Sequence, residues 1–183
     1  MKYTNEIFQR LSQGQFISSN SVDTETRALF DAIDDNPEAY ERYFKEIDFQ
    51  LSTGDGYYYF SRNETKVIVA NKLQSFFSWI DYIDFLKTYD TSFSAGTQFS
   101  LAQIEIRLAT ELELKEKLSH LFVEKQSNRE KIEALAEALK NKGFAELINE
   151  REGMYQITSA FHYLEQIILC ININEEVKDE IPE

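Results

Sequence analysis

The sequence predicts an α+β chain, mainly α with small β wings, organised as tandem winged helix-turn-helix domains. Three observations carry that expectation. Apolar residues recur at i, i+3, i+4 and i+7 in short runs with their own caps, the pattern of half-buried helices. Twice, such a run leads into two short stretches of β-forming residues joined by a turn. The two blocks align on Gly56 and Gly153 and lie about a hundred residues apart, as duplication of one unit would place them.

Taken in order, Ile7 to Leu11 forms a short helix that stops at Gly14, and Phe16-Ile17 a short strand. Asp23 or Thr24 begins a second helix carrying Leu29, Phe30 and Ile33. Asn36-Pro37 opens a third, with asparagine at the N-cap and proline at the first helical position, where an N–H has no partner anyway. Its stripe is Tyr40, Tyr43, Phe44 and Ile47. The first wing is Phe49-Gln50-Leu51, a turn from Ser52 to Asp55, and Gly56-Tyr57-Tyr58-Tyr59-Phe60. A long helix follows, with Leu73, Phe76, Phe77, Ile80 and Ile83 on one stripe and Trp79, Tyr82 and Phe85 largely outside it. A helix apolar nearly all round is covered on several sides or lies at an interface. Asp90 to Thr97 is a loop and the hinge between domains.

Phe99-Ser100 with Gln103 starts the next helix, striped by Leu101, Ile104, Leu108 and Leu112; helical character runs to about Val123 with a break near Glu111. Ser127 and Glu130 spell a capping box, in which the hydroxyl and the carboxylate each satisfy an orphan backbone donor. The helix they open is apolar at Ile132, Leu135, Ala136 and Leu139 and ends at Gly143. Phe144 to Ile148, a turn from Glu150 to Gly153, and Met154 to Ile157 form the second wing, after which Thr158 caps a last helix through Phe161, Leu164 and Ile168. The expected domains are 1–70 (first winged helix), 71–97 (central helix and linker), 98–172 (second winged helix) and 173–183 (acidic tail).

Of 183 residues, 43% are hydrophobic and 14% aromatic, enough to pack cores and to exclude disorder over most of the length. With 32 acidic against 19 basic residues the net charge is −13, which repels phosphate backbones and opposes general nucleic-acid binding. The single cysteine, Cys170, lies in an apolar run, so a buried thiol is expected. Met1 to Glu6 lead into no long apolar stretch, so no signal peptide is expected, and nowhere do about 18 uncharged apolar residues follow one another. The expectation is a soluble, cytoplasmic protein.

No catalytic set emerges. His120 and His162 sit on separate helices, without cysteine or carboxylate at metal-ligand spacing. The six glycines never take the spacing of a phosphate loop, and no motif surrounds a serine or cysteine nucleophile. Neither enzyme activity, cofactor nor metal is expected.

Winged helices often bind DNA through the helix before the wing, whose outer face then needs hydrogen-bond donors. Here the outer face of the helix after Ser127 carries Glu130, Glu137 and Asn141, with Glu133 beside them, which opposes phosphate. The first copy presents Glu38, Arg42 and Lys45, so Arg42 and Lys45 are the candidates for any DNA contact. A winged-helix transcription regulator is accordingly the alternative function.

Leu11, Gly14, Ile17, the helix from Asn36 with Tyr40 and Phe44, Leu51 and Gly56-Tyr57-Tyr58-Tyr59-Phe60 resemble the N-terminal winged helix of MukE and its shorter relative MksE. Phe99-Ser100, Arg129, Leu139, Gly143, Ile157-Thr158 and Phe161 are similar to the C-terminal one. The chain lacks the longer ends of MukE, so MksE-like is the better description. The resemblance implies a non-catalytic subunit of a bacterial SMC (condensin) complex that forms homodimers and binds an extended segment of a kleisin, MukF- or MksF-like. Through the kleisin it would meet a MukB- or MksB-like ATPase at the nucleoid. Its role would be chromosome organisation and partition, or defence against plasmids.

Two surfaces are expected to carry partners. Gln156 is polar between Tyr155 and Ile157, so alternation along the second wing turns those two inward. Carried to the first wing, this puts Tyr58 and Phe60 inward and Tyr57 and Tyr59 outward, where paired tyrosines would form a partner-binding hot spot. On the long helix, Phe76, Phe77, Trp79 and Tyr82 are expected at the dimer interface.

Overall fold

The computed structural model describes residues 1–61 and 66–168, without the side chains of 66–76. The Phe76 side chain, Cys170 and the acidic stretch 173–183 lie outside the described residues. The elements in chain order are α1 (Thr4–Ser12), β1 (Ile17–Ser18), α2 (Thr24–Asp34), α3 (Pro37–Lys45), β2 (Gln50–Gly54), β3 (Tyr57–Ser61) and α4 (Lys66–Tyr89). Then come β4 (Gln98–Ser100), α5 (Leu101–Thr110), α6 (Leu112–His120), α7 (Asn128–Asn141), β5 (Ala145–Asn149) and β6 (Met154–Ile157). Residues 161–168 form α8. The chain is mixed α and β, with two small antiparallel sheets of strand order β1-β3-β2 and β4-β6-β5.

Side chains written into the sequence fix the helix starts. Asp23 accepts from the Glu25 and Thr26 amides, Asn36 from Ala39 and Ser100 from Gln103. At α7 the capping box closes reciprocally: Ser127 accepts from the Glu130 amide, and Glu130 accepts from the Ser127 and Gln126 amides at 3.0 and 2.9 Å. Those two amides hold the Glu130 carboxyl below the usual range. Gly143, at φ 80°, then turns the chain from α7 into β5, a left-handed geometry that suits glycine. Thr158 does not cap α8 with its side chain. Its hydroxyl donates to the Gly143 carbonyl at 2.7 Å, and its backbone carbonyl accepts from the Phe161 amide.

Two cores form. The first gathers Ile7, Leu11, Ile33, Tyr40, Phe44 and Tyr58. The larger second core takes the C-terminal part of α4, Phe93, and the apolar faces of α5 to α8. On α4 the expected stripe is rotated. Trp79, Ile83 and Leu86, at i, i+4 and i+7, are buried against the second core, whereas Phe77 is 56% exposed. The loop between Asp90 and Thr97 is not a free hinge either. Phe93 is fully buried, the Gly96 amide donates to the Ile157 carbonyl, and the Ile157 amide donates to the Thr97 carbonyl, so the loop is fastened to β6.

On α7, Lys131 joins the buried face formed by Ile132, Leu135, Ala136 and Leu139. It is buried, and its Nζ donates to the Leu118 and Ser119 carbonyls at 3.2 and 2.7 Å. These are among the last carbonyls of α6, where the negative end of the helix dipole favours a cation.

Candidate interaction site

The two sheets meet along a seam built by residues 16–22. Strand alternation sends Ile17 into the first core and leaves Phe16 facing the other way. The Phe16 ring enters a cluster with Phe144 and Tyr163, at centroid distances of 5.3 Å, and with Tyr57 and Tyr59, at 5.7 Å. Beside these rings runs a polar stitch. Asn20 Nδ2 donates to the Ile157 carbonyl at 3.0 Å, and Asn20 Oδ1 accepts from the Ser159 amide at 2.6 Å. The Asn20 carbonyl accepts from Gln156 Nε2 at 2.8 Å. The Glu146 carboxylate accepts from Ser21 Oγ at 2.7 Å and the Val22 amide at 2.6 Å. One loop of the first half is thereby tied to both strands of the second hairpin.

Alternation in β3 is as the sequence implies: Tyr58 and Phe60 join the first core, and Tyr57 and Tyr59 take the opposite side. That side is not open to solvent, because the second half of the chain covers it. Tyr57, expected outward, is 1% exposed and belongs to the second core. Its ring lies over Gly54, its cross-strand partner, where an added Cβ would sit 2.1 Å from the ring; only glycine admits it. Burial pushes the Tyr57 hydroxyl up to about 12, with smaller contributions from Tyr59, Tyr163 and Asp55. Tyr59 stays half-buried at the edge of the cluster.

The other candidates fall in different places. Trp79, expected at a subunit interface, packs within the chain, edge-on to Phe144 at 5.3 Å and to Tyr82 at 5.2 Å. Tyr82 stacks on Phe122 at 5.1 Å. Trp79 is buried and Tyr82 half-buried because α4 lies against the second core. Phe77 keeps an exposed side chain. Arg42 and Lys45 are exposed on α3. On α7, Glu130, Glu133, Glu137 and Asn141 are all exposed, and the Arg129 guanidinium is held by Glu133 at 2.6 Å and Glu105 at 2.8 Å.

Two concavities follow the seam and a third adjoins them within the second half. A cavity of ≈ 210 Å³ is walled by Phe16, Tyr59, Trp79, Phe144 and Tyr163, with Gln15 and Lys142 also lining it. It shares Gln15 and Phe16 with a groove of ≈ 330 Å³ that passes Arg10 and Lys140. That groove shares Lys140 and Leu147 with one of ≈ 810 Å³ between α7 and the β5–β6 hairpin. Phe16, Asn20, Glu146 and Lys142 were not legible as site residues. Asn20 sits in a Ser-Ser-Asn-Ser stretch that signals only a loop, and nothing local names a partner 137 positions away.

Among the described residues, no three His, Cys, Asp or Glu side chains gather as a metal set. No described helix is long and apolar enough to cross a membrane. The family model of the condensin complex protein MksE matches residues 2–168. No curated protein matches the chain.

Proposed function

Since the chain belongs to the condensin complex protein MksE family, we propose that it is the non-catalytic, kleisin-binding subunit of an MksBEF- or MukBEF-like bacterial SMC complex. The observation that carries this reading is the family match across nearly the whole chain. The order strand, helices, hairpin, present in both halves with that strand beside each hairpin, supports reading them as tandem winged helices, with boundaries at 1–70, 71–97 and 98–172. In this reading the protein is a cytoplasmic homodimer at the nucleoid. It meets the ATPase through the kleisin and serves chromosome condensation and partition, or plasmid defence.

Exposed Glu130, Glu133 and Glu137, with Arg129 engaged by two carboxylates, support an indirect relation to DNA. Exposed Arg42 and Lys45 favour the rival reading, a DNA-binding transcription regulator. One experiment separates the two. The purified protein is titrated with an MksF- or MukF-like kleisin from the same source, by calorimetry, and with random duplex DNA, by fluorescence anisotropy at about 0.15 M salt, where charges are screened beyond roughly 8 Å. Kleisin binding with DNA affinity weaker than micromolar is the expected result. Sub-micromolar DNA affinity without kleisin binding would establish the regulator. In light scattering the protein alone should exceed the 21.4 kDa of one chain.

A further inference from the structure

We propose that the aromatic cavity at the seam is the anchor pocket for one bulky apolar side chain of an extended kleisin segment, with a carboxylate of that segment placed on Lys142. This rests on the kleisin-binding reading and adds to it a place and a chemistry.

Size comes first. An apolar cavity of about 150 Å³ is enough to take benzene, so ≈ 210 Å³ holds one aromatic ring or branched aliphatic side chain. The walls are already positioned. Trp79 is held by Phe144 and Tyr82, and Phe16 lies four residues before Asn20, which is hydrogen-bonded to β6 and the turn after it. An incoming ring therefore orders little that is not already ordered, which favours affinity. Phe16 and Tyr59 are only half-buried and retain aromatic area to cover.

Charge points the same way. Nearby cations have carboxylates of their own: Arg10 has Asp23, Lys140 has Glu137 and Lys87 has Glu165. Lys142, exposed beside the cavity, makes no ion pair among the described residues, in a chain with 32 acidic residues. A carboxylate next to the anchoring side chain would meet it. Shape selects an extended segment over a folded surface, since the cavity continues into the groove past Arg10 and Lys140 and on to the α7 hairpin groove.

Trp79 is the single tryptophan and forms part of the wall, so its fluorescence reports occupancy directly. The probes are overlapping synthetic peptides that together span the kleisin, free of tryptophan. One peptide should shift Trp79 emission saturably. Changing its bulky apolar residue to serine should weaken binding at least tenfold, as should Tyr59→Ser or Lys142→Glu in the protein. A lysine in place of the peptide's acidic residue should restore binding to the Lys142→Glu variant. If full-length kleisin binds while Trp79 emission and both variants are indifferent, the pocket assignment falls and the kleisin reading stands. If kleisin does not bind at all, both fall. A Trp79 shift on dilution of the protein alone assigns the cavity to a second copy. A shift produced by a peptide of residues 169–183 assigns it to the chain's own end. Either overturns the proposal.

Discussion

Replacing Tyr57 by serine is expected to destabilise the protein by about 3–5 kcal/mol, the range for deleting a buried aromatic side chain. The ring is 1% exposed and touches Phe16, Tyr59 and Tyr163, with Gly54 beneath it. Serine would leave a cavity where both halves meet. The urea midpoint should fall sharply, while Tyr59→Ser, at a half-buried position, should shift it far less. Equal, small shifts for the two variants would show that Tyr57 is not a core residue.

The same ring predicts an alkaline transition. Burial raises both Tyr57 and Tyr58 from 10.0 to about 12, Tyr58 also through its hydrogen bond to Asp34. Each hydroxyl keeps its proton to a higher pH in the folded chain than in the unfolded one. Their contribution is therefore whole below pH 10 and is lost as pH rises through about 12. Circular dichroism and tyrosinate absorbance recorded together should change in that window, and the transition should weaken in a Tyr57→Phe variant.

Asn20→Ala is the second large effect. It leaves the Ser159 amide and the Ile157 carbonyl without their Asn20 side-chain partner. The Ile157 carbonyl keeps the Gly96 amide. An unpaired buried donor costs roughly 1–3 kcal/mol, and with the lost side-chain packing a total of about 2–3 kcal/mol is expected. Glu146→Gln should cost less, about 1 kcal/mol, because an amide oxygen still accepts from Val22 or Ser21 without the charge. Because both changes act on the segment 20–22, the double variant should be non-additive. Spin labels on α3 and α7 should give a narrow distance distribution in the wild type and a broad one in Asn20→Ala. A narrow distribution in both would mean that the aromatic cluster alone sets how the halves sit.

Much of this fold was legible because its rules are local. Ser127 with Glu130, Asn36 with Pro37, Asp23 and Gly143 each act within four residues, and the break at Glu111 and both hairpins follow from propensity and alternation. Strand β4 carries no signal of its own, because three residues show no period and Phe99-Ser100 also reads as a helix start. The orientation of α4 is not written in its sequence, because a helix apolar nearly all round has no preferred face until its neighbours arrive. Alternation correctly told Tyr57 from Tyr58, but which side of a sheet is covered depends on residues a hundred positions later. Hence the partner face expected at Tyr57 became part of an intramolecular junction, and the residues that lock it, Asn20 and Glu146, carried no signal at all.

The placement of Tyr57 in a core completed by Phe144 and Phe161 also has a consequence in time. A ribosome adds roughly 5–20 residues per second, so the β3 face with Tyr57, and Phe16 opposite it, waits on the order of 5–20 s for its cover to be made. During synthesis the first half therefore displays a bare aromatic face, of which the finished protein buries Tyr57 fully and Phe16 and Tyr59 in part. That interval is when a chaperone, or a second nascent copy emerging from the same message, meets this chain at its most adhesive.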